Sequence, residues 1–398
     1  MLRKWKVTFK TLSPVHIKGQ EPGYGSGIVP LGRTGYVIDE IKLGKFLQEK
    51  GIIEEYVDYV NRCLQDREEP SLKRFFQQDS QLRKQLNDST LKSISSRITT
   101  VGDGNTFICD GNGKYFMPGS SIKGAIRTAL LYHILDNLQT SNQAQFNNLV
   151  INTINQKLTD YRRARARGWR REMEDIKKSF DDEIVERELQ SFLDNLVRSG
   201  KVKTGPHTDV LRTLKVADAP ITAVNQETIK VVCLQSGGTF YFGPSRRPIS
   251  LNYDCLKEEI QFTTEILLDL GLLSEFYPGG GMPFSDIGSL FNIIKKFGER
   301  QWTEERKTFQ DTKGLQNITN FYNPNISQPL LRVGWGTGML GTTIDLLIGS
   351  GLREQIRNEV MGANRPGLPA PHSKRMVMRN NQPAFPLGWI EVKDFKEV

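Results

Sequence analysis

Long apolar runs are missing from this chain. No stretch approaches the roughly 18 residues that a membrane-crossing helix needs, so no helical membrane span is expected. The first residues, Met1 to Phe9, carry charge and alternation but no apolar segment of the kind a secretory signal requires. Cysteine is scarce, with only Cys63, Cys109, Cys233 and Cys255, and none form a C-x-x-C pair. That excludes a disulfide framework and a zinc knuckle, and it fits reduced thiols in a cytoplasmic protein. Histidine is equally sparse: His16, His133, His207 and His372 are dispersed, with no pair at ligand spacing. There is no G-x-S-x-G and no H-E-x-x-H. Nothing here leads us to expect a metal, a cofactor or a catalytic constellation. Asp103, Asp110, Asp209, Asp218 and Asp286 have the chemistry to chelate a cation, but loops and turns use aspartate freely.

Acid is also in short supply. Lysine and arginine number 54 against 45 aspartates and glutamates, giving a net charge of +9. A basic surface suits a polyanion, because each neutralised phosphate releases counterions. Solubility alone is the competing explanation.

The patterning is of mixed class. Residues 2 to 17 read as a strand, with Val7 and Phe9 alternating with polar partners. A glycine-rich loop from Gly19 to Gly35 follows, opened by Lys18 and carrying Tyr24 and Arg33. Tyr36-Val37-Ile38 is a short strand, and Asp39 is placed to cap the next helix. Residues 52 to 97 and 141 to 199 read as polar helical insertions. Asp110-Gly111-Asn112-Gly113 signals a hairpin. Strands are expected between about 227 and 268, a helix near 285 to 300, and a short strand at Leu330 to Val333. A helix running to Ile348, a proline-rich basic loop over 364 to 383 and a last strand from Leu387 to Val392 complete the reading. Short strands separated by long helical insertions favour an α+β fold, taken as one domain over residues 1–398.

Two motifs carry the most information. In Pro118-Gly119-Ser120-Ser121-Ile122-Lys123-Gly124-Ala125-Ile126-Arg127, Ser120 or Ser121 is placed to cap a helix whose open N–H groups suit a phosphate. Lys123 and Arg127, four apart, share a face beside that end, while Ile122, Ile126 and Leu130 form the buried one. An ordinary capped helix with two solvated cations would read the same way. Gly336 to Thr343 nearly matches the P-loop, but Thr342 stands where its lysine belongs, which argues against nucleotide hydrolysis. What remains is a strand and a glycine-rich loop, Gly334, Gly336 and Gly338, with Arg332 and Trp335 able to supply charge and stacking. A tight structural turn is the alternative. Arg246, Arg247, Lys374 and Arg375 sit in further basic loops. The arginine-rich stretch from Arg162 to Arg171 reads as a helix face whose charge Glu172, Glu174 and Asp175 offset, and its role stays open.

Together these segments resemble the RAMP superfamily of CRISPR proteins. Leu12-Ser13-Pro14-Val15-His16-Ile17 with the loop after it is similar to the family's first strand and loop. Met117 to Gly124 is similar to its helix-opening signature, and Leu331 to Gly338 to its glycine-rich loop. Asp209 to Asp218 and Pro386 to Ile390 resemble the subunits that cap the backbone of type III-A Csm complexes. The resemblance implies a ferredoxin-like (RRM-like) core with helical insertions. It implies a structural subunit that binds a guide RNA (crRNA) near its 3′ end, helps define its mature length, and meets target RNA in the assembled complex. Other RAMP backbone subunits and small subunits are the implied protein partners. Backbone subunits of such complexes cut target RNA with a metal and an acidic residue of the first loop. Here that loop holds only Glu21, so a structural role is expected over a nuclease.

Overall fold

Alternation of buried and exposed residues along the first strand sets the architecture. In β1 (Leu2–Thr11) Trp5, Val7, Phe9 and Thr11 are buried, whereas Lys6 is exposed. The computed structural model describes residues 2–19, 28–31, 34–68, 70–100, 106–110, 114–190, 199–200, 203–221, 226–235, 238–240, 248–309, 315–362 and 366–398. The further strands are β2 (Ile28–Leu31), β3 (Thr34–Ile38), β4 (Ser95–Thr100), β5 (Phe116–Met117), β6 (Leu214–Val216) and β7 (Ala219–Pro220). They continue with β8 (Gln226–Gln235), β9 (Ser250–Leu256), β10 (Gln261–Asp269), β11 (Leu330–Arg332), β12 (Ser373–Arg379), β13 (Gln382–Pro386) and β14 (Trp389–Glu397).

The main sheet is antiparallel with order β11-β14-β1-β10-β6. Phe9 pairs with Phe262 across it, their rings stacked 5.7 Å apart. Its inner face meets two long helices, Gly119–Ser141 and Ile287–Phe309. Val7, Phe9, Ile122, Ile126, Leu130, Leu290 and Ile294 lie in one core and are at most 1% exposed. Burying each large apolar side chain contributes about 1.5–3 kcal/mol, which makes this the cohesive centre of the chain. The expected Ile122/Ile126/Leu130 face is therefore buried as read.

A second antiparallel sheet runs β13-β12-β8-β9. Both faces of β8 are covered: Ile229 and Val231 face one apolar cluster, Val232 and Leu234 another. This sheet corrects the expected loop over 364 to 383 from Ser373 onward, while the described residues 366–372 hold no strand or helix. Asn380 and Asn381 both adopt positive φ, 49° and 60°, and turn β12 directly into β13 with Arg379 opposite Gln382. The expected helix to Ile348 is also cut short, ending at Thr342. The hydroxyls of Thr342 and Thr343 donate back to the carbonyls of Gly338 (3.2 Å) and Met339 (2.7 Å), competing with helix propagation.

The two polar helical stretches behave differently. Five helices, α1 (Glu40–Glu49), α2 (Ile53–Gln65), α3 (Leu72–Gln77), α4 (Ser80–Gln85) and α5 (Asp88–Ile94), join β2, β3 and β4 around a core of their own, with Tyr36, Phe75, Phe76 and Leu91 at its centre. Asp39 caps α1 as expected, accepting from the Lys42 N–H at 3.0 Å. The helices between Gln143 and Gln190 instead add Phe146, Val150, Ile154 and Leu158 to the main core. Among the described residues no helix is long and apolar enough to cross a membrane.

Candidate nucleic-acid interface

The stem of the first loop and the glycine-rich loop, distant in sequence, are knitted together. The Trp335 N–H donates to the His16 carbonyl at 2.8 Å. Gly334 lies directly over that carbonyl with φ +80°, and a Cβ there would stand 2.2 Å from the oxygen. Only glycine permits both the positive φ and this approach. His16 is buried, and its Nδ1 lies 2.7 Å from the Asp254 carbonyl. Burial lowers its pKa, against that carbonyl, so the ring is held neutral near pH 7. Edge-on contacts join His16 to Tyr253 at 4.9 Å and Trp335 at 6.3 Å. Tyr253 and Trp335 are stacked at 4.0 Å with an angle of 24° between their planes. The Arg375 guanidinium sits 5.6 Å from the Trp335 ring centre. Exposed Lys18 pairs with Phe107, whose ring touches His16, and Gly19 follows it against Ile108. The fold thus gathers Lys18, Gly19, Gly334, Gly336 and Arg375 near the half-buried Trp335, which is stacked on the buried Tyr253. Gly338, with φ +76°, is exposed at the far end of the loop.

Two expected contacts are corrected by burial. The Arg332 and Lys374 side chains are 0% and 8% exposed, and both pair with Glu305, itself fully enclosed. Arg332 also donates to the Leu387 carbonyl at 3.1 Å and to the Gly336 carbonyl at 3.3 Å. Tyr322 adds its hydroxyl to Glu305. Burial pushes the Glu305 carboxyl up, but Arg332 and Lys374 overcome this and hold it below the ordinary value. Burial draws Lys374 down to about 8, against the attraction of Glu305. These cations fasten the glycine-rich loop from beneath and are not presented to a ligand. Sequence reading missed Glu305, yet a signal existed. It falls on the stripe Leu290, Ile294, Phe297, Gln301, Glu305, spaced by three and four residues, where an acid has to be paired.

The helix opened by Pro118 to Ser121 is also built otherwise than expected. Neither Ser120 nor Ser121 caps it. The Gly119 N–H instead donates to the Asp218 carboxylate at 2.7 Å, and a Cβ on Gly119 would meet the Val216 carbonyl at 2.0 Å. A carboxylate already stands at the positive end of this helix. Arg127 is bound to Asp209 at 2.8 Å, and Asp209 also accepts from Leu211 N–H. Lys123 is half-buried near the same acid, and burial, aided by Lys215, keeps its pKa below the ordinary value. The two cations therefore separate in role. Arg127→Ala should cost about 1–2 kcal/mol by leaving Asp209 under-paired. Lys123→Ala should leave the melting temperature near wild type while making the salt dependence of RNA binding shallower by about 0.7 in log–log slope. Thermal melts and filter binding of the two single variants check this.

Tyr24, Arg33, Arg246, Arg247, Glu21 and Asp103 lie outside the described residues. The other candidate acids have structural partners: Asp110 accepts from Lys114 N–H, Asp209 and Asp218 are bound as above, and Asp286 accepts from Ser289 N–H. No group of three His, Cys, Asp or Glu able to hold a metal occurs among the described residues.

Comparison with known proteins agrees with this architecture. No curated protein sequence matches the chain. A chain of a Csm–crRNA–target RNA ternary complex from a type III-A CRISPR-Cas system, seen by cryo-electron microscopy, shares its fold. The TM-score is 0.58 and the identity 20%, over 99% of this chain and 100% of that one. Csm5 from T. onnurineus, a crystal structure, aligns with a TM-score of 0.50 and 19% identity, over 97% of this chain and 100% of that one. The profile of the RAMP superfamily matches residues 8–305, about three quarters of the sequence, and the chain belongs to that superfamily.

Proposed function

We propose that this chain is a guide-RNA-binding structural subunit of a type III CRISPR effector complex, built on a ferredoxin-like core. The core reading rests on the succession β1, helix 119–141, β6, β10, helix 287–309, β14, with those strands ordered β14-β1-β10-β6. The single observation that carries the RNA reading is Trp335, on the glycine-rich loop of a RAMP-superfamily chain, stacked on Tyr253 with the Arg375 guanidinium over its ring. An aromatic face flanked by cations accepts any base and its phosphate without reading sequence. The Csm-type relatives support crRNA, target RNA and neighbouring Csm subunits as its partners. A position capping the backbone at the guide's 3′ end, with a part in setting its mature length, follows from the likeness of the 209–218 and 386–390 segments to capping subunits. The chain itself is non-catalytic in this reading. Cleavage needs a placed acid and base or metal-binding carboxylates, and Asp39, Asp110, Asp209, Asp218 and Asp286 are each engaged in caps, turns or ion pairs.

The test is purified chain with single-stranded RNAs of unrelated sequence, at several salt concentrations, with and without Mg²⁺. Log affinity should fall linearly with log salt, by about 0.7 for each phosphate contacted. Affinities at matched salt should agree within a few-fold, and the RNA should stay intact. A strong preference for one sequence, or cleavage that disappears on changing one acid, would overturn the reading.

A further inference from the structure

We propose that the arginine-rich corner at 162–171 is a second docking surface for single-stranded RNA, with Trp169 as its stacking platform. This ligand rests on the proposed function, but the surface is built from different elements. The helix Thr153–Ala166 ends there and the helix Arg170–Lys178 begins. Between them Gly168, at φ +70°, turns the chain sharply. The Gly168 N–H donates to the Arg165 carbonyl at 3.1 Å and the Trp169 N–H to the Ala164 carbonyl at 2.9 Å, the paired closure of a Schellman motif. The residue after such a turn ordinarily packs back on its helix. Trp169 instead remains 45% exposed, with the Arg167 guanidinium 4.6 Å from its ring centre. The corner is not free to move. Leu158, Tyr161 and Ala164 are buried on one side, and Met173 and Ile176 pack on the main core from the other.

Charge favours a polyanion. Between Asp160 and Lys178 eight cations face four acids. Three nearby carboxylates are already engaged: Glu359 with Arg162 at 2.6 Å, Asp160 with Arg163 at 3.3 Å and Glu174 with Lys177 at 3.0 Å. Arg165, Arg167, Arg170 and Arg171 are all exposed, within four sequence positions of Trp169. An acidic protein surface needs the charges alone. An exposed tryptophan with an arginine stacked on it is the arrangement that suits an unpaired base and its phosphates.

The experiment uses the full chain and single-stranded polyuridine RNA. Trp169→Ala should weaken binding about tenfold, and Trp169→Phe should restore most of it. Combined Arg165→Ala, Arg170→Ala and Arg171→Ala should make the salt slope shallower by about 2. Ultraviolet crosslinking should place uridine on Trp169. Normal binding by all these variants, while a glycine-loop variant loses RNA, would overturn the corner and leave the proposed function standing. Loss in the arginine variant alone, with polyglutamate competing as well as RNA, would assign the corner to an acidic protein partner and equally overturn the proposal.

Discussion

Replacing Glu305 with alanine should destabilise the chain by about 3–5 kcal/mol. At this size that is a fall in melting temperature on the order of 5 °C. Glu305 is fully enclosed and is the shared partner of Arg332, Lys374 and the Tyr322 hydroxyl. Removing it leaves two enclosed cations without their counter-ion. Lys374→Met should behave quite differently, staying within about 1 kcal/mol of wild type at neutral pH, because the Arg332–Glu305–Tyr322 arrangement survives. Its signature lies in pH. Lys374 is drawn from 10.5 down to about 8 in the folded chain. Between those values the unfolded chain holds the extra proton, so stability rises with pH across this window. Below about 8 both states carry the proton and the burial penalty is fully present. Melting curves should therefore show wild type gaining on Lys374→Met from pH 8 to 10. Equal pH dependence of the two proteins would mean that Lys374 is not enclosed as described.

Gly334→Ala should abolish most RNA binding, by tenfold or more, while the rest of the fold persists. A methyl group at this position would stand 2.2 Å from the His16 carbonyl and 2.7 Å from Ile17 Cδ1, on a backbone with φ +80°. Positive φ alone costs an alanine about 1–2 kcal/mol. The contact with a backbone carbonyl cannot relax by rotating a side chain, so the loop itself has to lift. That breaks the Trp335 N–H to His16 bond and unstacks Trp335 from Tyr253. Filter binding reads the affinity, and limited proteolysis reads whether cleavage appears around residues 333 to 339 and nowhere else. RNA affinity equal to wild type would remove the loop from the interface. The same geometry at Gly388, where a Cβ would meet the Val333 carbonyl at 2.5 Å, makes the opposing turn equally intolerant.

Periodicity made much of the fold legible. The alternation of Val7 and Phe9, the Asp39 cap and the Ile122/Ile126/Leu130 face are local patterns, and the structure keeps each of them. The hairpin at Asn380-Asn381 is carried by paired asparagines, which tolerate positive φ, but in sequence the surrounding prolines and cations have the composition of a loop. Which cations face solvent was not legible. In sequence Arg332 reads as part of a short strand before a glycine-rich loop and Arg375 as part of a basic loop, and neither pattern says which side chain faces solvent. One is enclosed with Glu305 from a helix 27 positions away, and the other lies over Trp335.

Class, charge and family membership are properties of composition and local pattern, and the sequence by itself determined them. A run of residues carries its own alternation, its own glycines and its own net charge wherever it is placed. Pairing across the chain belongs to the tertiary structure alone. Only the folded sheets bring His16 under Gly334, stack Tyr253 on Trp335 and set Asp218 at the start of the helix from Gly119. The physical reason is that charge and stacking act over a few ångströms of space. Sequence separation says little about that distance once antiparallel strands have folded residues 9 and 392 side by side.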